Sequence, residues 1–97
     1  MSEWCIIIND KKGSNRSELL SQHFAGISPL VEQGILTCGG AIYNDDGSVA
    51  GSHLQIVADT KEQALEVVKG DVFATGGIWD LDSIVIYKFA CAVRQPK

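Results

Sequence analysis

An α+β fold is predicted by three features of the sequence. Two β-branched runs lie near its ends, around Cys5-Ile6-Ile7-Ile8 and Ile84-Val85-Ile86; two stretches in between have helical apolar spacing; and a strong turn, Asn44-Asp45-Asp46-Gly47, joins two strands in the middle. In order these give strand, helix, strand, strand, helix, strand. That is the split βαβ, or ferredoxin-like, arrangement, with both helices on one face of an antiparallel sheet.

The first strand is read over Glu3 to Asn9, because its continuous apolar centre is too short for a helix and rich in β-branched residues. After the break at Lys11-Lys12-Gly13-Ser14-Asn15, the residues Leu19, Leu20, Phe24, Ile27, Leu30 and Val31 recur at three- and four-residue intervals, which predicts a helix over Ser17 to Gln33. Gly34 is the expected stop. Pro29 lacks a backbone donor and is expected to kink or split that helix.

Ile35 to Tyr43 reads as the second strand. Its Gly39-Gly40 pair suggests either a bulge or the close approach of a ligand to the backbone. Gly51 to Ala58 alternates Leu54, Ile56 and Ala58 against His53, Gln55 and Val57, as a strand with two different faces does. Thr60 and Gln63 have capping-box spacing, and Ala64, Leu65 and Val68 form the stripe of a second helix ended by Gly70. Asp71 to Trp79 is a compact connection with room for one helical turn. Ser83 to Val93 is the last strand, expected to cross the whole sheet.

At 97 residues the chain holds one domain, taken as 1–97. Hydrophobic residues are 45% of it and charged ones 21%, too apolar for disorder. A formal net charge of -4, with no basic run beyond Lys11-Lys12, excludes the electrostatic footprint of a nucleic-acid binder. No apolar stretch approaches the roughly 20 residues of a membrane span, and the start lacks the basic and apolar regions of a signal peptide. A soluble, cytoplasmic protein is expected. Cys5, Cys38 and Cys91 are an odd number without Cys-x-x-Cys spacing, so they read as buried, reduced thiols, with neither a disulfide framework nor a zinc site.

With both helices on one face, the other face of the sheet is left bare and apolar. A second sheet is the simplest cover, so a homodimer through the open faces is expected.

Two polar residues stand out. His23 lies mid-helix, where a histidine alone is most often a surface or packing residue but is able to titrate near neutral pH. Asp71 follows the helix-ending Gly70 and precedes the apolar Val72-Phe73; alone it reads as a turn or cap aspartate.

Together with a strand-two glycine, the pair Gly51-Ser52, and Asp71-Val72-Phe73 followed by Gly77-Ile78-Trp79, this pattern resembles the YciI-like (YCII-related) proteins over about residues 4 to 93. The resemblance implies a dimeric α+β barrel, two ferredoxin-like sheets packed face to face, with His23 and Asp71 lining a cleft in each subunit. It also implies chemistry on small oxygenated rings, since the family includes an enzyme that removes chloride from a chlorinated hydroxyquinol and is similar to muconolactone isomerases. A carboxylate beside an imidazole orients it and stabilises its charged form, so the histidine takes and returns a proton.

Gly39, Gly40, Ser52, Phe73 and Trp79 are the expected substrate-binding residues, the two aromatic side chains as pocket walls for a flat ligand or as core. His53 reads as a solvated strand histidine. No cofactor is implied, and His23 and His53 make no metal-ligand set.

The chain departs from the family pattern in three places. Leu20-Ser21 stands where the family has Arg-Pro before its histidine, Gly40 where a proline often follows the strand-two glycine, and Val72 where the Asp-Pro-aromatic motif has its proline. The first change removes a potential contact to a substrate anion. Two readings follow: a cofactor-independent lyase or isomerase using His23 and Asp71, or a metabolite-binding or accessory dimer with the same pocket and no turnover.

Overall fold

The computed structural model describes residues 1–95. Its elements are β1 (Ser2–Asn9), α1 (Leu20–Glu32), β2 (Leu36–Tyr43), β3 (Val49–Ala58), α2 (Lys61–Lys69), α3 (Val72–Thr75) and β4 (Val85–Phe89). A 3₁₀ turn, Arg16–Leu19, leads into α1, and a second, Leu81–Ser83, precedes β4. The strands form one antiparallel sheet in the order β2-β3-β1-β4. This is the ferredoxin-like order, the subunit fold of dimeric α+β barrels.

The alternation of β1 and β3 decides which face is the core. Ile6 and Ile8 of β1 and Leu54, Ile56 and Ala58 of β3 point to the helices, where they pack with Ala64 and Val68 of α2, Phe73 of α3, Ile78 and Trp79. Thr60 caps α2 by accepting from the Gln63 N–H at 3.2 Å, but the Gln63 side chain accepts from Asp59 rather than from Thr60. The box is therefore opened by one residue.

α1 ends in a Schellman motif, with Gly34 at φ +73° and the N–H groups of Gly34 and Ile35 donating to Val31 and Leu30. Contrary to the sequence reading, it runs unbroken through Pro29. Pro29 and Ala25 lie on its exposed side, so the carbonyl that loses its donor faces water. The apolar stripe of α1 also divides. Leu19, at the end of the leading turn, Ile27 and Leu30 pack on the core, whereas Leu20, Phe24 and Val31 are exposed. The core-facing arc is narrower than the stripe, and its centre is His23, the one buried residue of α1.

Other differences concern the edges. β4 spans Val85–Phe89 rather than Ser83 to Val93, because it pairs only with Glu3 to Ile7 of β1 and its approach is diverted by the Asp80-capped turn. β2 has two register shifts, between Leu36 and Cys38 and between Ile42 and Tyr43, and Gly39-Gly40 lie between them, paired with Leu54 and His53. Of the three thiols only Cys5 is buried; Cys38, on an edge strand, and Cys91, beyond β4, are exposed.

The outer face carries Cys5 and Ile7 of β1 and Val85, Tyr87 and Phe89 of β4, with Val85 54% and Tyr87 43% exposed. Beyond β4 the chain turns back, and Arg94 binds Glu3 at 2.8 Å and Gln55 at 3.1 Å. The Thr37 hydroxyl, helped by Arg94, holds the Glu3 carboxyl below its ordinary range. Among the described residues no helix is long and apolar enough to cross a membrane.

Candidate active site

α3 exists because Asp71 starts it. Its backbone is extended, and its Oδ1 accepts from the Phe73 N–H at 2.8 Å, satisfying a free donor of the first turn. The same oxygen lies 2.8 Å from Nδ1 of His23. One oxygen of Asp71 therefore both caps α3 and pairs with His23.

An ionised Asp71 carboxylate can only accept, toward the imidazole as toward the backbone N–H. Nδ1 thus carries the proton and donates it to Asp71, which leaves Nε2 with its lone pair in the neutral ring. Among the described residues no protein group bonds to Nε2, and no buried side-chain nitrogen or oxygen is without a partner. Nε2 is therefore open to the space in front of α1.

That space is a cavity of about 310 Å³ between α1 and the β2–β3 half of the sheet, lined by Arg16, His23, Phe24, Gly39, Gly40 and Ser52 among others. It is at the small end of ligand pockets, which run from roughly 300 to 1,000 Å³. The rest of the wall is largely apolar, with Leu20 and Phe24 of the exposed α1 stripe at its rim.

The expected site residues separate into two groups. His23, Gly39, Gly40 and Ser52 face the cavity. Phe73 and Trp79 do not: both are 0% exposed, so they are core rather than pocket walls. Phe73 stacks on the His23 ring with centroids 4.0 Å apart and planes 4° from parallel, and Trp79 meets both rings edge-on. Both pack behind the imidazole and fix its plane, and the stacked Phe73 offers a π face to an imidazolium. Asp71 likewise stands behind His23 rather than on the cavity wall.

Among the cavity residues outside the expected set, Arg16 brings a charge. Arg16 binds Asp10 through Nε at 2.8 Å and Nη2 at 2.6 Å, lies 5.0 Å above the Phe73 ring, and donates from Nη2 to Ser52 Oγ at 3.0 Å. It places a guanidinium beside the cavity although the arginine of the family's Arg-Pro pair is absent. The sequence offered only its place just ahead of the predicted helix that carries His23. Its partner Asp10 is held where β1 ends, bridged to Trp79 and bonded through its N–H to Ala50.

Among the described residues no group of three or more His, Cys, Asp or Glu is placed to hold a metal ion. His53 is half-buried on the outer face beside Gln55, away from the cavity.

Comparison with known proteins adds independent findings. The model of the YCII-related domain matches residues 2–88. The chain is 28% identical over 97 residues to fusaric acid biosynthesis protein 2 of Gibberella fujikuroi, covering 92% of this chain and 93% of that protein. It is 28% identical over 100 residues to an aspartate kinase of Fusarium oxysporum f. sp. lycopersici, covering 95% of this chain but spanning 18% of the kinase. Among solved structures it is similar to 5-chloro-2-hydroxyhydroquinone dehydrochlorinase from Burkholderia phenoliruptrix in complex with 2,5-dihydroxybenzoquinone. The TM-score is 0.75 at 22% identity, over 91% of this chain and 93% of that one.

Proposed function

This chain belongs to the YCII-related domain family, and from that premise we propose that it is a small-molecule enzyme moving a proton on a small cyclic or aromatic oxygenated metabolite, with elimination or isomerisation as the outcome. The observation that carries this reading is the His23 ring: its Nδ1 is committed to Asp71 at 2.8 Å and its Nε2 is left at the wall of a ring-sized cavity. The likeness in fold to a dehydrochlorinase of a hydroxylated ring supports this choice of substrate class.

In the proposed step Nε2 takes a proton from an O–H or activated C–H of the ring, forming an N–H bond. The electron pair left behind moves through the ring, where it either expels an anionic leaving group or is protonated at another atom by the same imidazolium. Asp71 balances the charge on that imidazolium and keeps Nε2 aimed at the ligand. No oxidant or cofactor enters the balance.

The test is chloride release from 5-chloro-2-hydroxyhydroquinone, measured with the affinity for 2,5-dihydroxybenzoquinone, in the wild type and in His23→Gln. Loss of turnover with affinity within about threefold supports an enzyme. Binding of the quinone by both proteins with release no faster than in buffer supports a metabolite-binding module instead.

The proposal includes a homodimer through the outer sheet face. The exposed Val85 and Tyr87, beside the half-buried Ile7, form an apolar surface of the kind that marks an association site, and a second copy presents the same sheet to it. Val85→Lys together with Tyr87→Asp is expected to convert a dimer of the wild-type chain to a monomer, read as a halved mass by light scattering. An unchanged mass would place the dimer interface elsewhere.

A further inference from the structure

Ser52 is the buried polar group that the proton-transfer step leaves without a task. It is 3% exposed and forms part of the cavity wall. Its Oγ accepts from Arg16 Nη2 at 3.0 Å and from the Trp79 indole N–H at 3.2 Å. A hydroxyl has two lone pairs and one O–H, so both acceptor positions are filled and the proton must point in the remaining direction. Among the described residues no acceptor meets it: the bonds to Oγ are the two it receives.

Two features make that O–H a strong donor. One of the groups donating to the oxygen is a guanidinium, and a charged donor polarises the hydroxyl it binds. Arg16 and Asp10 are also 15% and 14% exposed, so this polarisation acts away from bulk water. At the same time Asp10 engages Arg16 through two bonds and balances its charge. The corner is therefore neutral overall and strongly donating at one point. Such a corner suits a carbonyl or phenol oxygen better than a full carboxylate, which would need an uncompensated cation.

We propose that Ser52, polarised by Arg16 and Trp79, binds a ring carbonyl or phenol oxygen of the ligand and receives the negative charge that develops there when His23 removes a proton. The inference rests on the proton-transfer reading and specifies its substrate: a ring with one such oxygen beside the atom that loses its proton. As the proton passes to Nε2, the electron pair of the broken bond forms a ring C=C, and the ring C=O becomes C–O⁻ held by the Ser52 O–H. Return of the proton at another carbon, or departure of an anion, restores the C=O. This is stabilisation by a donor fixed in advance at the atom where charge appears.

The experiment uses 4-nitrophenol, whose phenolate is coloured, and reads the pH at which the bound phenol ionises. In the wild-type chain the bound phenol is expected to ionise about one pH unit below the free phenol, a tenfold change in its ionisation constant. Ser52→Ala is expected to abolish the shift while the phenol still binds. Ser52→Cys, with a thiol of similar size and weaker donation, supplies the same comparison if the alanine variant does not fold.

The proposal is overturned if the phenol does not bind, if it ionises no more readily when bound, or if the shift survives in the folded Ser52 variant. It is also overturned if the shift persists there and disappears in His23→Gln, which would make the imidazole the oxygen ligand. Because the ionisation is an equilibrium measurement, a protein with the shift and no turnover keeps the Ser52 assignment and loses the enzymatic reading.

Discussion

His23→Gln is expected to lower turnover by roughly 10²- to 10⁴-fold, the range typical for removing a general acid or base. Glutamine preserves much of the volume of the ring and retains an amide donor for Asp71, so the cavity and the N-cap of α3 are expected to stay in place. What it lacks is a nitrogen able to take up a proton. Stability is therefore predicted to change far less than activity, which separates a chemical role from the packing role that a buried helix histidine could otherwise have. The comparison needs kcat and KM measured together: a fall in kcat with KM nearly unchanged marks an interaction made in the transition state, whereas a rise in KM alone would make His23 a binding residue.

The largest effect on stability is expected at Gly51, which is paired with Asn9 across β3 and β1. A Cβ placed there would lie 2.1 Å from the Ile8 carbonyl oxygen and 2.8 Å from the Asn9 Cα. Both are backbone atoms, so no side-chain rotation relieves the contact and the two central strands must move apart. Overpacking usually costs about 1–3 kcal/mol, and the absence of a flexible neighbour puts Gly51→Ala at or above about 3 kcal/mol. In a domain of this size that is a fall in melting temperature of roughly 12 °C or more.

The consequence reaches the site. Gly51 is next to Ser52, and the close contact of β3 with the end of β1 brings Ser52 Oγ to the Arg16 held by Asp10. Gly40→Ala is the contrasting control, because a Cβ there meets nothing within 4 Å.

Much of the fold was legible because its signals are local. The alternation of Leu54, Ile56 and Ala58 needs only the two-residue period of a strand, and Thr60 needs only the N–H of Gln63 to act as a cap. What escaped was decided by neighbours distant in sequence. The segment from Ser83 to Val93 reads as one long strand, but the length of β4 is limited by its pairing with β1. Leu20 and Phe24 carry the same apolar signal as Ile27, yet they stay exposed at the rim of the cavity, whereas Ile27 lines it and also packs against the core.

The site shows the same division. His23, Asp71 and Ser52 stand out by their place in a motif, and both glycines by their strand. Phe73 and Trp79 were read as pocket walls or core because an aromatic residue in a loop has no local mark of burial. The stacking of Phe73 on His23 depends on α3 folding under α1. Nothing local marks Arg16, whose role lies in Asp10 and Ser52, one at the end of β1 and the other on β3. A charge at the edge of a helix is ordinary until its partners are known.

The central claim is that Asp71 fixes the His23 ring with Nε2 bare and facing the ligand. Nitrogen-15 NMR of the His23 imidazole tests it most directly, recorded in the neutral ring with and without saturating 4-nitrophenol. The predicted result is a proton on Nδ1 in hydrogen bond to Asp71, an unprotonated Nε2, and a shift confined chiefly to the Nε2 resonance when ligand is added. A proton on Nε2 in the free protein, or an Nε2 resonance unmoved at saturation, would contradict the account.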